Sequence, residues 1–313
     1  MSDAEAATLD TKGPTPSTPP EEQTPSVEKP DSLWKDVWYS LCGNKAAMVS
    51  LFFILLLVLV AVGTALFPSL LPYDPYQQDL SQSFMPPSSA HWCGTDQQGR
   101  DIFSRILVGS QISLSVGLLA VAISLSIGVT LGAIAGYKGG IVDTVIMRCM
   151  DMMLAIPSIL LAIAFMAALG KGVDKAVVAI GLVSIPEYAR IVRSQILAIK
   201  ENDYVSAARV IGDADRAIIF RHILPNVMPS IIVRATLGIS GAILDCAALG
   251  FLGLGVQPPA AEWGDMLGRG RNFIFSAPYT MIYPGLAITF TVLAFNLLGD
   301  GIRDAFDPKS RRR

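Results

Sequence analysis

The chain has 313 residues, 52% of them hydrophobic and 16% charged, with a formal net charge of −2 and a mean hydropathy of +0.50. Soluble domains carry about 25% charged residues, so the deficit points to a protein of the lipid bilayer and away from a nucleic-acid binder, which needs a basic stripe. Four scattered cysteines (Cys42, Cys93, Cys149, Cys246) and two distant histidines (His91, His222) exclude a disulfide scaffold and a histidine-based metal site.

Residues 1–45 differ from the rest. Pro14, Pro16, Pro19, Pro20, Pro25 and Pro30 stand among Ser, Thr and acids such as Glu21, Glu22 and Glu28. Such a stretch buries too little apolar surface to offset chain entropy, so a disordered tail is predicted. It lacks the basic start and immediate apolar run of a signal peptide.

A bilayer-crossing helix needs about 20 mainly apolar residues. Ala46 to Phe67 supplies them without a charge, ending before Pro68 and Pro72. Ile112 to Tyr137 is a second span, rich in the small residues that let helices approach closely. Val142 to Leu169 is a third, with Asp143, Arg148, Asp151 and Pro157 inside it. A fourth runs from about Lys175 to Ala198 and is interrupted by Pro186, Glu187, Arg190 and Arg193. Ile231 to Leu254 and Met281 to Leu298 complete six. The intramembrane charges read as i,i+3 pairs, Arg148 with Asp151 and Glu187 with Arg190, and Pro157 and Pro186 as kinks. Lys and Arg near the span ends favour one side about threefold, which predicts both termini in the cytoplasm. Residues 46–110 then form the first span and an outer loop, residues 111–301 the main transmembrane domain and residues 302–313 a basic inner tail.

The longest inner loop, residues 200–226, reads as a short helix with Tyr204, Ala207, Ala208 and Ile211 on one face, a bend at Gly212, a second apolar set (Ile218, Ile219, His222, Ile223) and a stop at Pro225. Periodicity alone equally allows an amphipathic helix lying on lipid headgroups. Asp245 lies inside the fifth span, where a carboxylate costs several kcal/mol unless paired or wetted. It reads either as a cavity-facing acid or as a structural pair with a basic group on a neighbouring helix or subunit. Trp92 and Trp263 suit the headgroup level, and the outer stretches Gly94–Arg105 and Gln257–Arg271 offer either a docking surface or a cap on the helix ends.

Tyr204-Val-Ser-Ala-Ala-Arg-x-x-Gly212 followed by Ile219-Phe-Arg-His-Ile-Leu-Pro225-Asn226 resembles the "EAA" loop of ABC importer permeases, with Ser206 where that family has Glu. Gly94-Thr-Asp-x-x-Gly-Arg100-Asp-Ile-Phe-Ser-Arg105, Ala135-Gly-Tyr-x-Gly-Gly140, the run from Ile243 to Gly264, Pro284-Gly-Leu-Ala-Ile and the run from Leu293 to Pro308 are similar to the C-type membrane subunit of dipeptide permeases. The resemblance covers about Trp34 to Pro308. It implies an all-α type I importer fold of six transmembrane helices in the bacterial inner membrane. It also implies partners: a second homologous permease subunit, two ATP-binding cassette subunits, an extracytoplasmic peptide-binding protein and membrane lipid. Coupling to the ATPase would fall to Tyr204, Ala207, Ala208, Arg209, Gly212, Arg216, Arg221 and Pro225, with Arg209 and Arg216 meeting either acids on the ATPase or anionic headgroups. Asp245 is the candidate in the translocation path.

No catalytic residue or cofactor is expected in this chain. Gly170-Lys171 lacks the upstream glycine and the following Ser or Thr of a phosphate-binding loop, so ATP and Mg would be bound by the partners. Cargo other than dipeptides (oligopeptides, glutathione, haem, nickel chelates, antimicrobial peptides) fits the same fold. A stand-alone carrier or channel would show an inverted repeat with paired broken spans, and none stands out.

Overall fold

A computed structural model describes residues 33–307 of the chain. Most of the expected N-terminal tail and all the basic residues beyond Asp307 lie outside that range. The tail ends sooner than composition predicts. Leu33–Gly43 forms α1, whose Val37 and Leu41, one turn apart, are buried with Phe295, Leu298 and Ala305. A four-residue apolar spacing is enough to dock a helix once a partner surface exists.

The spans follow. Asn44 caps α2 (Lys45–Leu66) by accepting from the Ala47 N–H at 3.2 Å. Asp101 caps α3 (Ile102–Lys138) through Ser104 N–H at 2.7 Å. Next come α4 (Gly140–Leu154), α5 (Ser158–Leu169), α6 (Val173–Ile199) and the short α7 (Asp203–Ile211). The turn α8 (Asp215–Ala217), a π-helical stretch over Ile218–Ile223 and α9 (Leu224–Phe251) form one continuous helix of 37 residues. A short helix, α10 (Trp263–Gly270), precedes α11 (Tyr279–Phe306). Four of these helices are long and apolar enough to cross a bilayer: α2, α3, the helix ending in α9, and α11. The pair α4 and α5, bent by 93°, makes a fifth when taken as one span, and α6, with 27 residues, has the length of a sixth but carries charges. The fold is the expected all-α membrane architecture of six spans.

Small residues set its geometry. Gly128, Gly132 and Gly136 repeat every fourth position along α3, so they share one face. A methyl group on Gly132 would stand 2.4 Å from the Ala189 carbonyl oxygen, and one on Gly128 would stand 2.6 Å from Tyr188 Cβ. Only a bare backbone lets α3 lie this close to α6, as small-residue stripes do in membranes.

Four expectations are corrected. Span three is not kinked but turned through 93° at the break before Ser158, because Pro157 cannot donate into the preceding turn and restricts Ile156. Span four is not interrupted, since α6 runs unbroken through Pro186. Pro225 does not end a helix. It sits where the π-helical stretch passes into α9, its missing N–H removes one ladder bond without ending the helix, and Asn226 Nδ2 donates to the nearby His222 O at 2.7 Å. The intramembrane charges pair between helices and not at i,i+3. Arg190 meets Asp151 at 2.7 Å, Arg193 binds Asp143 through two nitrogens and Arg234 pairs with Glu187. These ion pairs tie α4 to α6 and α6 to α9. A partner on another helix costs no extra local strain, and sequence spacing cannot reveal it.

Candidate coupling surface and translocation cavity

The loop 200–226 folds into a compact platform. α7 begins after Asn202 and stops at Gly212, whose φ of +95° is left-handed. There the Gly212 N–H donates to Arg209 O at 3.2 Å and the Asp213 N–H to Ala208 O at 3.1 Å, a helix end that favours glycine. Val205 and Ala208 turn inward and are buried with Ile218, Ile223 and Val227 from the next helix and Val192 and Ile196 from α6. Ala208 therefore serves the platform's own core, while Tyr204 and Ala207 remain exposed.

Polar contacts fix the platform to its base. Tyr137 at the end of α3 donates to Asp215 at 2.7 Å, with the Arg209 guanidinium 5.8 Å from its ring centroid. His222 Nε2 meets Asp213 at 3.1 Å, and Asn226 Nδ2 donates to the Tyr204 hydroxyl at 3.2 Å. What faces outward is apolar with a basic rim. Val210 and Ile211 are 87% and 82% exposed and Phe220 is 68% exposed. Arg216, Arg221 and Pro225 are exposed around them. The expected face contained Ile211 but missed Val210 and Phe220, because the helical wheel was centred on the alanine pair.

A cavity of about 280 Å³ opens between α3, α6, α9 and the α4–α5 break. Asp245, Glu187, Arg234 and Tyr188 line it, together with Pro157 and Gly241. Irregular backbone at membrane depth is tolerated where it borders such a space. Asp245 is half-buried and has no hydrogen-bond or ion-pair partner among the described residues. A pairing of Asp245 with a basic group on a neighbouring helix of this chain is therefore not formed among the described residues, and a pairing with a partner subunit remains its alternative reading. Glu187, expected from spacing to pair with Arg190, and Arg234 share the cavity with it.

The end of the bundle formed by residues 73–105 and 257–271 is a buried polar clamp. Arg100 binds Asp96 at 2.7 Å. Arg105 is 1% exposed and donates to Pro75 O at 2.9 Å. His91 Nδ1 lies 2.9 Å from Asp101. Trp263 is not at the headgroup level. It is fully buried against Gly109, its Nε1 donating to Ile106 O at 3.0 Å. Glu262, also buried, caps α10 by accepting from the Gly264 and Asp265 N–H groups at 2.8 Å each. Burial, reinforced by the Asp265 charge, pushes its carboxyl up to about 7 even though both cap bonds favour the anion. The motif charges of this loop hold helix ends together, as a cap does. Trp92 alone of the two tryptophans is exposed.

Residues 128–312 match the family described as the binding-protein-dependent transport system inner membrane component. The chain belongs to that family. Residues 32–87 of the permease also match the N-terminal transmembrane domain of oligopeptide transport permease C. Across 296 residues, 94% of this chain and 95% of the other, it is 48% identical to the dipeptide transport system permease protein DppC of Alkalihalophilus pseudofirmus. It is 46% identical to the di/tripeptide transport system permease protein DppC of Pseudomonas aeruginosa, over 91% of this chain and 95% of that one. Its identity to the glutathione transport system permease protein GsiD of Pectobacterium atrosepticum is 47%, over 88% and 91%. In fold it is similar to the solved inward-facing MetNI methionine ABC transporter, with a TM-score of 0.55 at 18% identity over 66% of this chain and 98% of that one. The permease is thus a membrane subunit of an ABC importer.

Proposed function

We propose that this permease is the C-type membrane subunit of an ATP-driven importer of dipeptides and other short peptides. It would lie in the bacterial inner membrane with both termini cytoplasmic. Near-full-length identity to dipeptide permeases carries the cargo assignment. The observation that carries the mechanism is the platform. Val210, Ile211 and Phe220 form an apolar surface of the kind that docks on a partner, and the basic rim of Arg216 and Arg221 complements acids. Its buried side is continuous with α6 and α9, so a push on the platform reaches two of the helices that wall the cavity. Two ATP-binding subunits that hold ATP and Mg would supply the push. A homologous permease subunit would supply the other half of the path, and a peptide-binding protein would deliver cargo at the outer clamp. Asp245 would meet the ammonium end of the peptide, where a desolvated cavity strengthens the attraction.

Glutathione is the second cargo reading, favoured by the 47% identity to a glutathione permease. Co-purification tests the coupling surface. Val210→Asp with Ile211→Asp should lose the ATPase subunits while retaining the partner permease. Undiminished capture of the ATPase would overturn the docking role.

A further inference from the structure

The cavity holds two features that Asp245 does not explain. Arg234 Nε is buried without a hydrogen-bond partner, although the same guanidinium pairs with Glu187 through its terminal nitrogen. An unsatisfied buried donor on a charged group is costly and calls for an acceptor. Arg234 and Asp245 also lie on the same helix, eleven positions apart. At about 100° and 1.5 Å per residue that is three turns, so the two share a face with an axial offset of about 16 Å. Both line the cavity, one at each end of its α9 wall, with Gly238 and Gly241 between them. Gly241 leaves that wall low, and Gly238 makes room for the Tyr188 hydroxyl, whose ring lies 5.7 Å from the Arg234 guanidinium carbon and borders the wall between the two charges.

We propose that Arg234 is the carboxylate-binding residue of the translocation path. It exchanges its Glu187 partner for the C-terminal carboxylate of a peptide whose ammonium end is held by Asp245. This deepens the import reading above and rests on it. The exchange replaces one carboxylate by another, so the guanidinium is never left buried without an anion, a state that would be strongly unfavourable. The planar fork of arginine offers both Nε and a terminal nitrogen to one carboxylate, which uses the donor now unsatisfied. An extended three-residue peptide spans about 10 Å and a contact at each end adds about 3 Å. That sum matches the axial offset, and the flexible arginine side chain takes up the difference for two residues. Arg234 lies toward the α9 end that joins the coupling platform and Asp245 toward the outer end, so the carboxylate leads. Glu187, on α6, then becomes free when cargo arrives, and the α6–α9 tie is released only in the presence of a peptide.

The test is uptake by the complete transporter in proteoliposomes, with the same binding protein in every arm, of trialanine, its C-terminal amide and its N-acetyl form. A charge-assisted contact is worth about 1.5–3 kcal/mol, so Arg234→Gln should reduce the preference for free over amidated peptide at least about tenfold. Its preference for free over acetylated peptide should not change. Asp245→Asn should do the reverse. Glu187→Gln should keep or sharpen the carboxylate preference, since it frees Arg234, and this arm decides the matter if Arg234→Gln fails to assemble. Equal loss of preference in Glu187→Gln and Arg234→Gln, with recovery in the double variant, would show a structural clasp and overturn the proposal. No ATP-dependent uptake of any peptide by the unaltered transporter would instead refute the import reading itself.

Discussion

Gly212 offers a clean separation between backbone cost and partner contact. Its φ of +95° places it in the left-handed region, and a methyl group built there would meet nothing within 4 Å. Substitution therefore carries a conformational penalty and no internal clash. That penalty is about 1–2 kcal/mol for an ordinary residue, smaller for Asn and larger for a β-branched one. At about 1.4 kcal/mol per tenfold in population, Val would lower the native turn about tenfold or more against its alternatives, weakening the bonds from Gly212 to Arg209 and from Asp213 to Ala208. Val210 and Ile211 would then lose their fixed position. The assay is peptide taken up per ATP hydrolysed, in proteoliposomes holding the assembled transporter. Gly212→Asn should stay near the native ratio, Gly212→Ala should fall several-fold and Gly212→Val should fall furthest. If Asn is as damaging as Val, the glycine serves a tight contact with the ATPase and the backbone argument is refuted.

Other consequences follow from the packing. Gly132→Ala should destabilise the purified subunit by about 1–3 kcal/mol through overpacking, because its methyl would sit 2.4 Å from Ala189 O. Gly285→Ala, whose nearest neighbour would be at 3.6 Å, should be neutral or slightly stabilising. Thermal unfolding in detergent compares the two, and equal effects would refute the close α3–α6 approach. Trp263→Phe should cost about 1 kcal/mol for the lost bond to Ile106 O and no transport specificity. Glu262 has a folded value of about 7 against an ordinary 4.5, so its protonated form is the one that folding favours. The Glu262 cap region should be most stable below about pH 4.5, weaken as pH rises to about 7 and change little above that. Glu262→Gln should flatten this slope in a pH series of melting temperatures, and an unchanged slope would assign it to another group.

Much of this architecture was legible because lipid imposes simple demands. Ala46 to Phe67 and Met281 to Leu298 stand out as apolar runs and became α2 and the middle of α11. The glycines and serines of the second span announced close packing. What was not legible depended on residues far apart in the chain. Arg190 finds Asp151 and Arg234 finds Glu187 across helix boundaries, whereas spacing rules see only i,i+3 neighbours. Trp263 is buried because Gly109, 154 positions earlier, leaves room for its ring, and no local pattern says so. Pro225 misled because its missing N–H removes one ladder bond where the π stretch passes into α9 and does not end the helix. At the candidate site, Gly212 and Asp245 were visible as a turn residue and an out-of-place acid. Arg234 was not, since its meaning lies in a cavity that five helices assemble.

The most direct test of the account is ATP-driven uptake itself. The purified permease is reconstituted with its partner permease, both ATPase subunits and the binding protein, and labelled dipeptide is measured inside the vesicles with ATP or with a non-hydrolysable analogue. The account predicts accumulation against a gradient only with hydrolysable ATP and binding protein together, abolished by Val210→Asp with Ile211→Asp. Uptake that persists without the ATPase subunits would contradict it.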